Sequence, residues 1–251
     1  MIPTNSSSLH LGDRFLRAVG YARDLHVENR KATQVPYMAH LFGVASLVMG
    51  ESGYVSFPIT EDEVIAALLH DAAEDWGGVA RLNDIQAIFG DFVADHVKGC
   101  TDTFEDPKPA WRPRKEAYIQ RLPNETAQTR LISAADKLHN ARAILDDFHC
   151  VGDKVWNRFR AGRDEQLWYY GKLADVFREC GTNRIVEELG RVVATLKVES
   201  CGIRHQEADF EKDQVTPGKD YIRNSPVFVD RTEPGRGISI VGASNRKTDK
   251  D

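Results

Sequence analysis

Apolar residues recur every three to four positions through most of the first 200 residues, the spacing of helices with one buried face. Leu11, Phe15, Val19, Ala22 and Leu25 mark a helix over about Leu9–Glu28. A polar break, Asn29–Pro36, precedes a second helix from Tyr37 to about Glu51, with Leu41, Val44, Ala45 and Val48 on one face. Thr60 and Glu63 form a capping box for a third helix, which carries EVIAALLHDAAED and ends at Gly77-Gly78. Shorter helices are expected over Arg81–Phe89 and Asp91–Gly99. Three prolines make Thr101–Pro113 a loop. Lys115–Arg121, Asn124 to about Phe148, Trp156–Glu179 and Asn183–Glu199 complete the set. No strand pattern competes before residue 200 and no repeat is found, so the fold class is all-α.

The character changes after Gly202. The last 50 residues contain no Leu, three Pro and five Gly, too little apolar surface to fold alone. The pattern therefore predicts a folded domain over residues 1–200 and a polar, irregular tail over 201–251. Two short apolar runs in that tail, at 227–230 and 238–242, could pair as a hairpin or dock. The net charge of −5 argues against bulk DNA binding, which needs a basic surplus. No apolar run approaches the ~20 residues of a membrane span. The N-terminus lacks a basic start and an apolar segment, so no secretory signal is read. Four scattered cysteines, with no C-x-x-C pair, read as free thiols of a cytoplasmic protein. Nothing in the pattern sets an oligomeric state.

Chemistry concentrates where polar residues interrupt apolar helices. His70-Asp71 and Glu74-Asp75 end an otherwise apolar helix, one turn apart. Carboxylates that close repel unless a cation or proton lies among them. His40 in YMAHLFGVA and Asp136 in LISAADKLHNARAIL are likewise polar residues among core-like neighbours. His40, His70, Asp71 and Asp136 together offer two imidazoles and two carboxylates. That N/O set suits an octahedral divalent ion with open positions, Mn²⁺ first and Fe²⁺ next, rather than four-coordinate Zn²⁺. Glu74-Asp75 at a helix C-terminus opposes the macrodipole, which points to a use other than solubility.

The order H…HD…D resembles the HD superfamily of metal-dependent phosphohydrolases. RKATQVPYMAH, LLHDAAED, CTD and AADKLHNAR resemble, in turn, motifs of the Rel/Spo hydrolase domain, and the HDxxED form is the specific part. The similarity covers about residues 9–180 and is nearest to small alarmone hydrolases, which remove the 3′-pyrophosphate of (p)ppGpp. It implies an HD-domain helical bundle with His40, His70, Asp71 and Asp136 as metal ligands. It implies that Glu74 and Asp75 position and activate the attacking water. It further implies nucleotide contacts from Arg30, Lys31, Asn140 and Tyr169, with Lys137 supporting the metal or the phosphates.

These roles are chemically coherent. Pyrophosphate hydrolysis needs a nucleophile at neutral pH, a base, and cations around the phosphates. Two alternatives differ in class. The same site could act on (p)ppApp, an NADPH phosphate or a 5′-nucleotide. A degenerate HD domain could instead bind a nucleotide without turnover, but that reading predicts the loss of a ligand or of the acidic pair, and all six residues are present.

Overall fold

In the computed structural model, residues 9–105 and 107–210 are described, with only the backbone considered for 202–210. The hairpin or docked tail expected beyond residue 210 lies outside the described residues. Helices dominate, and no strand occurs among the described residues; the nearest approach is a single bridge between Asn29 and Pro36.

The core is built around two helices. The helix α3 (Glu61–Leu69) begins at the predicted capping box, in which the Thr60 amide donates to Glu63 Oε2 at 2.7 Å. Every residue from Val64 to Leu69 is buried, so this helix is apolar all round and packs inside the bundle. The other is α8 (Ala127–Val151), capped by the Thr126 hydroxyl, which accepts from the Thr129 amide at 3.1 Å. Around these two pack α1 (Asp13–Leu25), α2 (Tyr37–Gly50) and α6 (Asp91–Cys100). The short α4 (Ala72–Asp75) and α5 (Gly78–Phe89) follow α3 in sequence. α7 (Trp111–Arg121) packs against α9 (Gly162–Cys180), and α10 (Arg184–Phe210) follows in sequence.

Several boundaries differ from the sequence expectation for physical reasons. The third helix does not run unbroken to Gly77: it stops at Leu69 and resumes as α4. The His70 Nδ1–H donates to the Ala67 carbonyl at 2.8 Å, the acceptor that a continuing helix would give to the Asp71 amide. The helix expected from Lys115 starts earlier, at Trp111, because Pro113 sits in its first turn, where no amide donor is needed. The helix expected from Trp156 begins only at Gly162, after a 3₁₀ segment, Gly152–Arg158. The last helix extends past Glu199, through Phe210.

Candidate metal centre and active site

Three elements bring the predicted ligands together. His40 comes from α2, His70 and Asp71 from the break between α3 and α4, and Asp136 from α8. His40, His70 and Asp71 each place a donor atom within 4.8 Å of the others. Asp71 Oδ2 lies 3.0 Å from His70 Nε2 and 3.5 Å from His40 Nε2. Asp136 Oδ1 lies 3.3 Å from His40 Nε2 and 3.6 Å from His70 Nε2.

The hydrogen bonds behind these ligands set their tautomers. His70 spends its Nδ1–H on Ala67, so Nε2 keeps its lone pair. Arg30 Nη1 donates to His139 Nδ1 at 3.2 Å, and His40 Nδ1 lies 3.0 Å from that same acceptor. The His40 proton therefore sits on Nδ1, and its Nε2 is free as well. Both Nε2 atoms are buried and have no hydrogen-bond partner among the described residues. Two bare imidazole nitrogens facing two carboxylates fit a divalent cation, and such backing of ligand imidazoles is the usual support of a metal site.

The electrostatics make the same demand. Burial alone would lower the His70 pKa, yet Asp71 and Asp136 hold it well above its ordinary value. Burial would raise Asp71 and Asp136, but the neighbouring cationic groups hold both well below the carboxylate range; His70 acts on Asp71, and Lys137 on Asp136. The pocket thus needs positive charge at its centre, and a proton supplies it when no metal does.

Glu74 and Asp75 stand at the end of α4, and both line a cavity of about 650 Å³. Glu74 is fixed at both oxygens: Oε2 accepts from the Asp102 amide at 2.9 Å, and Oε1 from Lys108 Nζ at 2.9 Å. Burial first, then the charges of Asp71 and Glu74, push Asp75 up to about 7. A carboxylate balanced there can take a proton near neutral pH. The chain turns away from this pair through Gly77 (φ +102°) and Gly78 (φ +58°), conformations that favour glycine.

The expected nucleotide contacts are placed unevenly. Arg30 Nη2 donates to Asn140 Oδ1 at 2.6 Å, and Asn140 Nδ2 donates to Asp136 Oδ1 at 2.5 Å, so both reach the candidate metal ligands. Lys137 Nζ donates to Asp136 Oδ2 at 2.6 Å. Lys31 is exposed on the loop before α2. Tyr169 is buried against Trp111, with Lys115 Nζ 4.9 Å from its ring centre and its hydroxyl without a partner among the described residues. Lys115 and Arg114 both bind Asp102, whereas Arg112 turns away to Glu165 and the Trp168 ring.

Tyr37 and Asp102 carry no role in the sequence reading, and neither Lys108 nor His139 is assigned one there. His139 lies behind His40. The Tyr37 hydroxyl donates to Asp71 Oδ2 at 2.6 Å. Their signals were adjacency alone: Tyr37 three residues before His40, Asp102 inside CTD, and His139 one turn after Asp136.

Comparison with known proteins agrees with this geometry. The family model described as "HD domain" matches residues 18–167. The guanosine-3′,5′-bis(diphosphate) 3′-pyrophosphohydrolase MESH1 of Danio rerio is 32% identical over 176 residues, spanning 69% of this chain and 88% of its own. The protein of that name from Homo sapiens is 29% identical over 178 residues, spanning 70% and 89%. A solved structure of a metazoan SpoT ortholog superimposes with a TM-score of 0.60 at 24% identity, covering 75% of this chain and 98% of that one, which establishes the shared fold.

Proposed function

Because the chain belongs to the HD-domain family, we propose that it is a metal-dependent pyrophosphohydrolase that removes the 3′-pyrophosphate of (p)ppGpp, leaving GDP or GTP. The observation that carries this reading is the pair of buried, unpartnered Nε2 atoms facing Asp71 and Asp136, one turn from an anchored Glu74-Asp75 pair. His40, His70, Asp71 and Asp136 are the residues that hold the metal. Two imidazoles and two carboxylates favour Mn²⁺, then Fe²⁺. Such an ion, when bound, lowers the pKa of a water and polarises a phosphoryl oxygen.

The chain's own groups do the rest. Glu74, held by the Asp102 amide and Lys108, orients the attacking water and cannot swing away. Asp75, poised near neutrality, accepts its proton. Arg30, on the loop before α2, and Lys31 beside it meet the nucleotide, with Asn140 setting the Arg30 fork. Lys137 neutralises charge at Asp136 and the phosphates. Tyr169 forms the wall behind Lys115. The unpaired cysteines fit a reducing, cytoplasmic setting. No helix among the described residues is long and apolar enough to cross a membrane.

The test is ppGpp hydrolysis by EDTA-stripped protein with and without Mn²⁺ or Fe²⁺, resolving GDP and pyrophosphate. Metal-dependent release of both in equal amounts is expected. Turnover of ppApp or NADPH but not ppGpp, in parallel reactions, would reassign the substrate.

A further inference from the structure

Tyr37 stands at the first turn of α2 and is held on three sides. Its hydroxyl donates to Asp71 Oδ2 at 2.6 Å. Its ring stacks on the buried His26 imidazole, with centres 4.8 Å apart and planes 10° from parallel. Its amide donates to the Glu28 carbonyl at 2.9 Å, beside the Asn29–Pro36 bridge that closes the loop carrying Arg30 and Lys31. His26 is in turn fixed by Glu28 Oε1, 2.9 Å from its Nδ1, and by the edge of Trp76, the residue after Asp75.

Asp71 Oδ2 is the carboxylate oxygen nearest His70 Nε2 and lies within 3.5 Å of His40 Nε2. A carboxylate oxygen has two lone-pair sites, so it can accept from Tyr37 and still face the cation. Asp71 opens the α4 turn that carries Glu74 and Asp75, and its carbonyl accepts from the Asp75 amide at 3.0 Å. Fixing the Asp71 side chain therefore also fixes the origin of the acidic pair.

We infer that Tyr37 is a positioning residue, in which one side chain joins the Asp71 metal ligand and the turn bearing Glu74-Asp75 to the base of the Arg30 loop. The inference deepens the hydrolase reading and rests on it for its catalytic part. The part that concerns metal holding stands by itself. His26 serves as the platform that keeps the Tyr37 ring from rotating its hydroxyl off Asp71.

The experiment compares wild type with Tyr37→Phe, which keeps the ring stack and removes only the hydroxyl. Mn²⁺ affinity is read from the free-ion EPR signal, and kcat and KM from ppGpp turnover at saturating Mn²⁺. The loss of a hydrogen bond behind a metal ligand is expected to weaken Mn²⁺ binding roughly 10- to 100-fold. At saturating Mn²⁺, kcat falls and KM for ppGpp stays within about twofold, because Tyr37 touches Asp71 and not the nucleotide. His26→Leu, which removes the platform, moves both quantities in the same direction.

Unchanged Mn²⁺ affinity in Tyr37→Phe overturns the inference. Tighter binding overturns it too, since it would mean that the hydroxyl merely occupies the oxygen the metal needs. A fall in thermal midpoint without a change in affinity or kcat assigns Tyr37 to packing alone and also overturns it. If wild type binds Mn²⁺ but turns over no ppGpp, the hydrolase reading fails, while the affinity comparison still decides the role of Tyr37.

Discussion

Replacing Gly43 with alanine tests whether the support behind His40 matters to the metal. Gly43 lies on α2, one turn after His40, where the His139 ring of α8 comes against the backbone. A Cβ at residue 43 would lie 2.2 Å from His139 Nε2 and 2.3 Å from its Cδ2. Ordinary contact begins near 3.4 Å, so the ring must retreat by about 1.2 Å. The His40 Nδ1 to His139 Nδ1 separation is 3.0 Å, and a retreat of that size takes it toward about 4.2 Å, beyond hydrogen-bonding range. His40 is 1% exposed, so water cannot replace the lost acceptor. Overpacking of this kind costs about 1–3 kcal/mol of stability. Loss of the bond that orients a ligand imidazole lowers metal affinity about 10- to 100-fold.

Two assays separate these effects: the midpoint of urea unfolding for stability, and Mn²⁺ titration calorimetry for affinity. The double variant Gly43→Ala/His139→Ala removes the clash without restoring the bond. It should regain most of the stability lost in Gly43→Ala, yet bind Mn²⁺ no better than His139→Ala alone. A Gly43→Ala protein that is folded and binds Mn²⁺ within twofold of wild type would refute the assignment of His139 as the support of His40.

Glu74→Gln and Asp75→Asn should each lower kcat by about 10²–10⁴ while leaving Mn²⁺ binding within a few-fold, measured by turnover and calorimetry; full activity in both would sink the proposed roles. Adding Mn²⁺ at about 100 times its Kd to EDTA-stripped protein should raise unfolding stability by about 2.7 kcal/mol, and Asp136→Ala should abolish that increment. His96 is 3% exposed and, through burial, with Glu63, Asp95 and Asp62 opposing, has its pKa lowered. Below about pH 6.5 the unfolded chain takes up a proton at this histidine that the folded chain refuses, so its contribution to stability falls as pH falls. The stability gap between wild type and His96→Gln, from denaturant midpoints at pH 7 and 5, should therefore narrow at pH 5. A gap that widens would refute the neutral, buried state of His96.

The residues of one chain determined a great deal here. Helical periodicity and the Thr60–Glu63 box specified the helices that build the core, because a buried stripe and a cap are properties of adjacent residues. The four candidate ligands and the acidic pair stand out in the sequence because charged groups inside apolar helices are costly without a purpose. The limits of α7 and α9 were less legible, since Pro113 and Gly162 act through their position within a turn.

What only the tertiary structure decided is which atoms meet across helices. The free lone pairs of His40 and His70 depend on bonds to His139 and Ala67. The His139 contact comes from another helix, 99 residues away. Tyr37, Asp102 and Lys108 gain their contacts to Asp71 and Glu74 through chain separations of 28 to 34 residues. Spacing along a helix sets which side chains share a face. Packing between helices sets which nitrogen faces the two carboxylates, and that in turn determines whether a set of residues can be a site.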